Sequence, residues 1–256
     1  MNLIKGLLIP TLLLLGWVLI AKLKLISFYI IPPPEQVWKT TLSLLENGLL
    51  LKHLSTSFYR VMSGFTASFV LAFPLAVLLG MNRRFTPYIN PPVEFIRHIP
   101  PLACIPMLIL WFGIGEASKL AVIILAAFFP IFLNTLSGIS QCDKKLLEVG
   151  DAFGLSPQEK FRRIILPASL PSIIVGMRLG LGYSWRALIG AELVAASAGI
   201  GYMILDAEQI SRSDIVIIGI LTIGAIGYLI DYLFLKFAQY GMPWAKRTAD
   251  DGSVNP

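Results

Sequence analysis

Residues 120–171 read LAVIILAAFFPIFLNTLSGISQCDKKLLEVGDAFGLSPQEKFRRIILPASLP. The first part, 120–140, has no charged side chain, and a helix of that length rises about 30 Å, the thickness of the hydrocarbon core of a bilayer. The second part, 143–171, crowds acids and bases into the longest polar break in the second half of the chain. A membrane-length apolar run beside a charge-dense break is the unit of a polytopic helical membrane protein, and the rest of the chain repeats it.

The composition agrees. Of 256 residues, 56% are hydrophobic and 14% charged, with a mean hydropathy of +0.75, whereas soluble domains carry about 25% charged residues. A soluble enzyme and a disordered chain are excluded. The net charge of +6 would suit a nucleic-acid binder, but most Lys and Arg sit in short loops beside apolar runs, which is a topology signal. No nucleic-acid partner is expected; the partner these residues imply is the lipid bilayer. Cys104 and Cys142 lack the spacing of a metal site, and no disulfide is expected.

The expected fold is all-α, with about six transmembrane helices over 7–26, 56–81, 102–112 with its flanks, 120–140, 168–196 and 215–237. The third is short and interrupted by Pro100, Pro101 and Pro106, so a re-entrant segment is its alternative. Parity favours a span, because Arg83/Arg84 and Lys144/Lys145 then share one side, and the third and fourth form a hairpin turning at 116–119. Lys and Arg favour both termini in the cytoplasm. Arg60 and Lys119 are then outer charges, and Lys22 and Lys24 are exceptions. Lys5 before an apolar run resembles a signal peptide, but no small-residue cleavage site precedes Lys22, so an uncleaved first span is expected. Pro32–Pro34 should end it, and 35–51, with Val37, Trp38, Thr41, Leu42 and Leu45, should form an amphipathic interfacial helix. A single transmembrane domain is expected over 1–247, and 248–256 reads as a disordered tail.

Within the polar break two short helices are expected, separated by Gly154-Leu155-Ser156-Pro157. Gly can close the first, Ser can cap the second, and Pro suits a first turn. Leu147, Phe153, Phe161 and Ile164 alternate with charges, giving one apolar ridge and one solvated face. On pattern alone this is either a solvated loop or a docking element.

This break resembles the signature loop of the permease subunits of bacterial ABC importers: Glu148, then Gly154, nine residues to Ile164, then Leu166-Pro167. Val149-Gly150 replaces the two alanines usual in that motif. The resemblance extends to 31–38 IPPPEQVW, 96–116 IRHIPPLACIPMLILWFGIGE, 128–139 FFPIFLNTLSGI, 176–185 GMRLGLGYSW and 191–204 AELVAASAGIGYMI. It is nearest the nitrate, sulfonate, taurine and bicarbonate branch. It implies a type I importer permease in the bacterial cytoplasmic membrane: a homodimer, bound to two cytoplasmic ATPase subunits and fed by an external solute-binding protein. It also implies that Glu148, Asp151, Ala152, Phe153, Gly154 and Ser156 contact the ATPase. The chain has no GxxxxGK[ST] phosphate loop, so no cofactor is expected here; ATP and Mg would be used by the partner, and the chain is not itself an enzyme.

Ionisable groups inside apolar runs are costly and default to a functional reading. Arg178, Gly182, Trp185, Ile189 and Glu192 share one face of the fifth expected span, and Arg186 lies close by. Arg178, Trp185, Arg186 and Glu192 are therefore candidates for a translocation path, with the guanidinium groups attracting an anion. The alternative for the arginines is an internal pair with Glu192 or Asp231. Asp231 in turn could pair with Lys236. Gly176, Gly180, Ser184, Ala187 and Ala191 form a small-residue face suited to close helix packing. Trp17, Trp38, Trp111 and Trp244 suit the membrane interface, and Pro74 and Pro130 suit kinks. His53 and His98 have no metal-ligand companion. The leading function is passage of a small anion. An ion-coupled carrier or a permease for a thiamine precursor is the alternative.

Overall fold

A computed structural model describes residues 2–241, with side chains over 8–238 apart from Arg83. The tail 248–256, Trp244, Lys246 and the Lys5 side chain lie outside the described residues. Among the described residues every regular element is helical: α1 (Asn2–Lys22), α2 (Pro34–Glu46), α3 (Leu49–Met81), α4 (Thr86–Arg97), α5 (Ile105–Phe112), α6 (Glu116–Ser140), α7 (Lys144–Ala152), α8 (Pro157–Lys160), α9 (Leu166–Ala195), α10 (Ile200–Gln209) and α11 (Ser213–Gly241). Short 3₁₀ turns occupy Arg83–Phe85 and Pro101–Cys104, and a π turn occupies Phe161–Ile165.

Among the described residues, the helices long and apolar enough to cross a membrane are α3, α6, the continuous stretch Pro157–Ala195, and Ser213–Ala238 within α11. The third expected span is not a straight helix. Thr86–Arg97 and Pro101–Phe112 are bent by 81° at their junction, because Pro100 and Pro101 deny the backbone donors a helix needs. Counted as one broken span, the pair makes five; α1 runs over Asn2–Lys22, and its part with described side chains, Leu8–Lys22, is apolar. The hairpin expected at 116–119 turns earlier. Gly113, with φ of 77°, and Gly115 make the turn, and Glu116 already opens α6.

The chain divides into two units, Met1–Phe58 with Glu192–Ile226, and Tyr59–Ala191 with Gly227–Pro256. In the first, Trp17 donates from Nε1 to the Pro32 carbonyl at 3.0 Å, giving this expected interface residue a specific partner. Pro34 starts α2 at its first turn, and Gly48, with φ of 71°, separates α2 from α3, so the amphipathic helix is shorter than 35–51. Val37 and Leu44 of α2 are buried, while Trp38, Leu42 and Leu45 face outward at i, i+4, i+7. Thr40 donates to Asp214 at 2.7 Å, and the Arg212 fork donates to the same carboxylate at 2.8 and 2.9 Å, tying α2 to the start of α11.

In the second unit, α9 packs on α6 through the expected small-residue face. A Cβ on Gly176 would lie 2.9 Å from the Pro130 carbonyl oxygen, and one on Gly180 would lie 2.8 Å from Ile131. Ala187 and Ala191 continue this face into a core with Ile105 and Leu108 of α5 and Val122 and Ala126 of α6. Gly182, on the face expected to be polar, meets nothing within 4 Å. Gly64 and Gly80 of α3 sit against Ile123 and Ile139 of α6. Helices α3 and α6 run on through Pro74 and Pro130.

Candidate functional site

The polar break forms its two helices as the residue pattern requires. Asp143 caps α7 by accepting from the Lys145 N–H at 2.9 Å. Gly154 ends it with φ of 68°, a conformation costly for residues with a Cβ. Ser156 and Glu159 form a reciprocal capping box at the start of α8, with Pro157 in the first turn. The second helix is not a separate piece, however. It continues through the π turn into α9, and the combined helix is about twice as long as the hydrocarbon core is thick. Pro167 accounts for the π turn: it has no N–H to donate, and the widened turn just before it, with Leu166 N–H on the Phe161 carbonyl, absorbs the ring.

The ridge expected along this segment is split. Leu147, Phe161 and Ile164 turn inward onto Ile139, Cys142, Ile165 and Val77. Phe153 does not join them and is 78% exposed. Together with Leu146 and Val149 it makes an outward apolar stripe at i, i+3, i+7, flanked by exposed Glu148 and Ala152. Asp151 is partly committed, since Lys160 donates to its carboxylate and clamps α7 to α8. Gly150, where the motif usually has alanine, is buried: a Cβ there would lie 2.8 Å from the Ile164 Cδ1. The departure from the motif is thus a close approach between the two helices. Cys142 and Cys104 are free thiols, and burial pushes the Cys142 thiol up.

The path residues fall into different settings. Arg178 donates from both sides of its fork to Asp231, at 2.6 and 2.7 Å. This is the internal-pair alternative, and Asp231 is answered by Arg178 rather than Lys236. Arg186 is exposed and stands over the Tyr183 ring, 5.4 Å from its centre. Arg178, Trp185, Arg186 and Asp231 line a cavity of about 510 Å³.

Glu192 is fully buried. Its carboxylate accepts from the Ser57 hydroxyl at 2.8 and 2.9 Å and from the Gly201 N–H at 2.9 Å, and Ser57 in turn accepts from the Ile200 N–H. The Gly199 N–H donates to His53 Nδ1 at 3.0 Å. Helix α10 begins at a glycine with no capping side chain, and Glu192 supplies an acceptor oxygen for one of its unpaired N-terminal donors. The sequence signal for this arrangement is Ala198-Gly199-Ile200-Gly201, a helix start without Ser, Thr, Asp or Asn.

A second charged group escaped the sequence reading. Arg60 and Lys119, taken as outer-loop charges, are each only 3% exposed. Arg60 donates to Glu116 at 2.6 and 2.7 Å, and Lys119 donates to the same carboxylate at 2.8 Å. Arg60 lies inside the apolar run 56–81, and that position was the available signal.

Known proteins give a consistent picture. The family model described as "binding-protein-dependent transport system inner membrane component" matches residues 68–239. A Bacillus subtilis (strain 168) protein named for aliphatic sulfonates transport, permease SsuC, is 39% identical over 94% of this chain and 87% of its own. The taurine transport system permease protein TauC of Escherichia coli (strain K12) is 33% identical over 91% and 86%. The bicarbonate transport system permease protein CmpB of Synechococcus elongatus is 32% identical over 79% and 72%. A chain of the MetNI methionine ABC transporter in an inward-facing conformation shares the fold, with a TM-score of 0.62 over 75% of this chain and 95% of that one, at 18% identity.

Proposed function

Because the chain belongs to the family of binding-protein-dependent transport system inner membrane components, we propose that it is the permease of an ATP-driven importer carrying a small anion of the sulfonate, taurine, nitrate or bicarbonate class. On this reading residues 1–247 form one permease domain, two copies assemble in a bacterial cytoplasmic membrane with both termini inside, and an external binding protein delivers the solute. ATP and Mg belong to the partner ATPase.

The observation that carries the coupling role is the outward stripe Leu146, Val149 and Phe153 beside Glu148. Exposed apolar side chains on a short charged helix outside the apolar spans suit a hydrophobic groove on a partner, with the acid setting register. The anion reading rests on Arg186, the cavity arginine that has no carboxylate partner among the described residues, and on the names of the relatives. Co-expression of the tagged chain with its cognate ATPase tests the proposal. Capture of the ATPase, and hydrolysis stimulated by solute and binding protein, are expected for the wild type. Both should be lost in Phe153→Asp or Glu148→Arg while the chain still inserts, and wild-type values in those variants would sink the assignment.

A further inference from the structure

Two cavities of the second unit, about 510 and 560 Å³, are fronted by the same stripe of α9: Leu179, Tyr183 and Arg186, at i, i+4, i+7. Each cavity holds one further arginine, and each of those is answered by the protein's own carboxylate. In the first, Arg178 is held by Asp231; in the second, Arg97 pairs with Glu94 at 2.6 Å. Arg186 makes no ion pair among the described residues, and its guanidinium lies over the face of the Tyr183 ring. Both cavities therefore balance to a single positive charge, and it is the same charge. The remaining walls are largely apolar, with Trp185, Ile230 and Phe234 on one side and Leu102, Leu125 and Phe129 on the other.

We propose that Arg186 is the headgroup contact of the path, and that the path is matched to a singly charged organic anion with an apolar body, such as an alkanesulfonate of several carbons, in preference to a bare inorganic anion. This deepens the importer function and rests on it. A guanidinium held by the π face of an aromatic ring, as Arg186 is at 5.4 Å from the Tyr183 centre, spends no N–H on a protein carboxylate and can offer its donors to sulfonate oxygens. An anion leaving water regains part of its lost hydration there. Apolar walls on both sides reward a hydrocarbon chain at about fourfold in affinity per added methylene. Nitrate and bicarbonate can use only the headgroup contact. Arg178 acts on this reading as a neutral pair with Asp231, holding α9 to α11 beside the cavity.

The test uses the full-length chain with its ATPase in lipid nanodiscs and 3-bromopropanesulfonate as the probe, because bromine quenches indole fluorescence and Trp185 lines the cavity. Quenching is expected, and Trp185→Phe should remove it. Competition should strengthen from methanesulfonate to pentanesulfonate by about threefold to fourfold per methylene, and nitrate and bicarbonate should compete least. Arg186→Gln should weaken probe binding about tenfold or more, and Arg186→Lys should recover part of it. Equal competition along the series, nitrate matching pentanesulfonate, no quenching in the wild type, or wild-type binding by Arg186→Gln would each overturn the proposal. Co-purified ATPase reports whether each variant is assembled. If Arg186→Gln does not assemble, the chain-length series on the wild type and on Arg186→Lys decides. A chain that captures its ATPase but lacks this ligand pattern refutes the inference alone; a chain that captures none refutes the importer reading.

Discussion

Glu192 shows how one residue's role depends on what surrounds it. In the sequence it is an acid near the end of an apolar run, a candidate for the wall of a path. In the structure it caps a helix that cannot cap itself, and Gly199 leaves it just enough room. A Cβ on Gly199 would lie 2.2 Å from the Glu192 Oε1, and its φ of 121° also disfavours other residues. Gly199→Ala should therefore destabilise the chain more than Glu192→Gln does. The amide keeps the volume but turns an NH₂ toward donors, at about 1–3 kcal/mol. Thermal unfolding of the purified protein in detergent gives the order, and an unchanged midpoint for Gly199→Ala would contradict the cap. At Gly154, Gly154→Val forces a β-branched residue into a left-handed conformation, at about 1–2 kcal/mol. Its expected effect is weaker capture of the ATPase with normal membrane insertion, measured by pull-down.

Among the elements, α9 illustrates two requirements met by one helix. Its small face lets the α6 backbone approach, and its opposite positions meet a cavity. Gly176→Val places a branched side chain against the Pro130 carbonyl, which is backbone and cannot move aside, so overpacking of about 1–3 kcal/mol is expected. Gly182→Ala meets open space and should leave stability within about 0.5 kcal/mol of wild type. The same thermal unfolding assay separates the two, and equal losses would contradict the two-faced reading. At the start of the long helix, Ser156→Ala removes the capping box. The loss is about 1 kcal/mol, and it should appear as faster backbone hydrogen exchange at Glu159 and Lys160, whose N–H groups Ser156 accepts, with 200–209 unchanged.

For the whole molecule, sidedness determines whether the α7 stripe can meet a cytoplasmic ATPase. Single cysteines at exposed positions 209 and 158, in a background without Cys104 and Cys142, should react differently with an impermeant maleimide on intact cells. Position 209 should label and position 158 should not. Labelling at 158 from outside would overturn both the orientation and the coupling role. Position 119, attractive in the sequence as an outer loop, is a poor probe because Lys119 is buried on Glu116. Its failure to label would report packing, not topology.

What the sequence determined by itself was whatever is encoded locally. Apolar runs set which segments are membrane helices, because hydrocarbon demands uncharged stretches with internally bonded backbones. Glycine, serine and proline at 154–157 set the break between α7 and α8, because caps depend on a few adjacent residues. The signature spacing from Glu148 to Pro167 identified the family. Tertiary structure decided everything that depends on partners distant in the chain. It brought Asp231 to Arg178, Ser57 to Glu192, and Glu116 to Arg60, and it turned Phe153 outward while its neighbours in the same ridge turned in. These three pairings join residues 53, 135 and 56 positions apart, separations that no local pattern spans. A periodic pattern states which face a residue occupies, but not what that face meets.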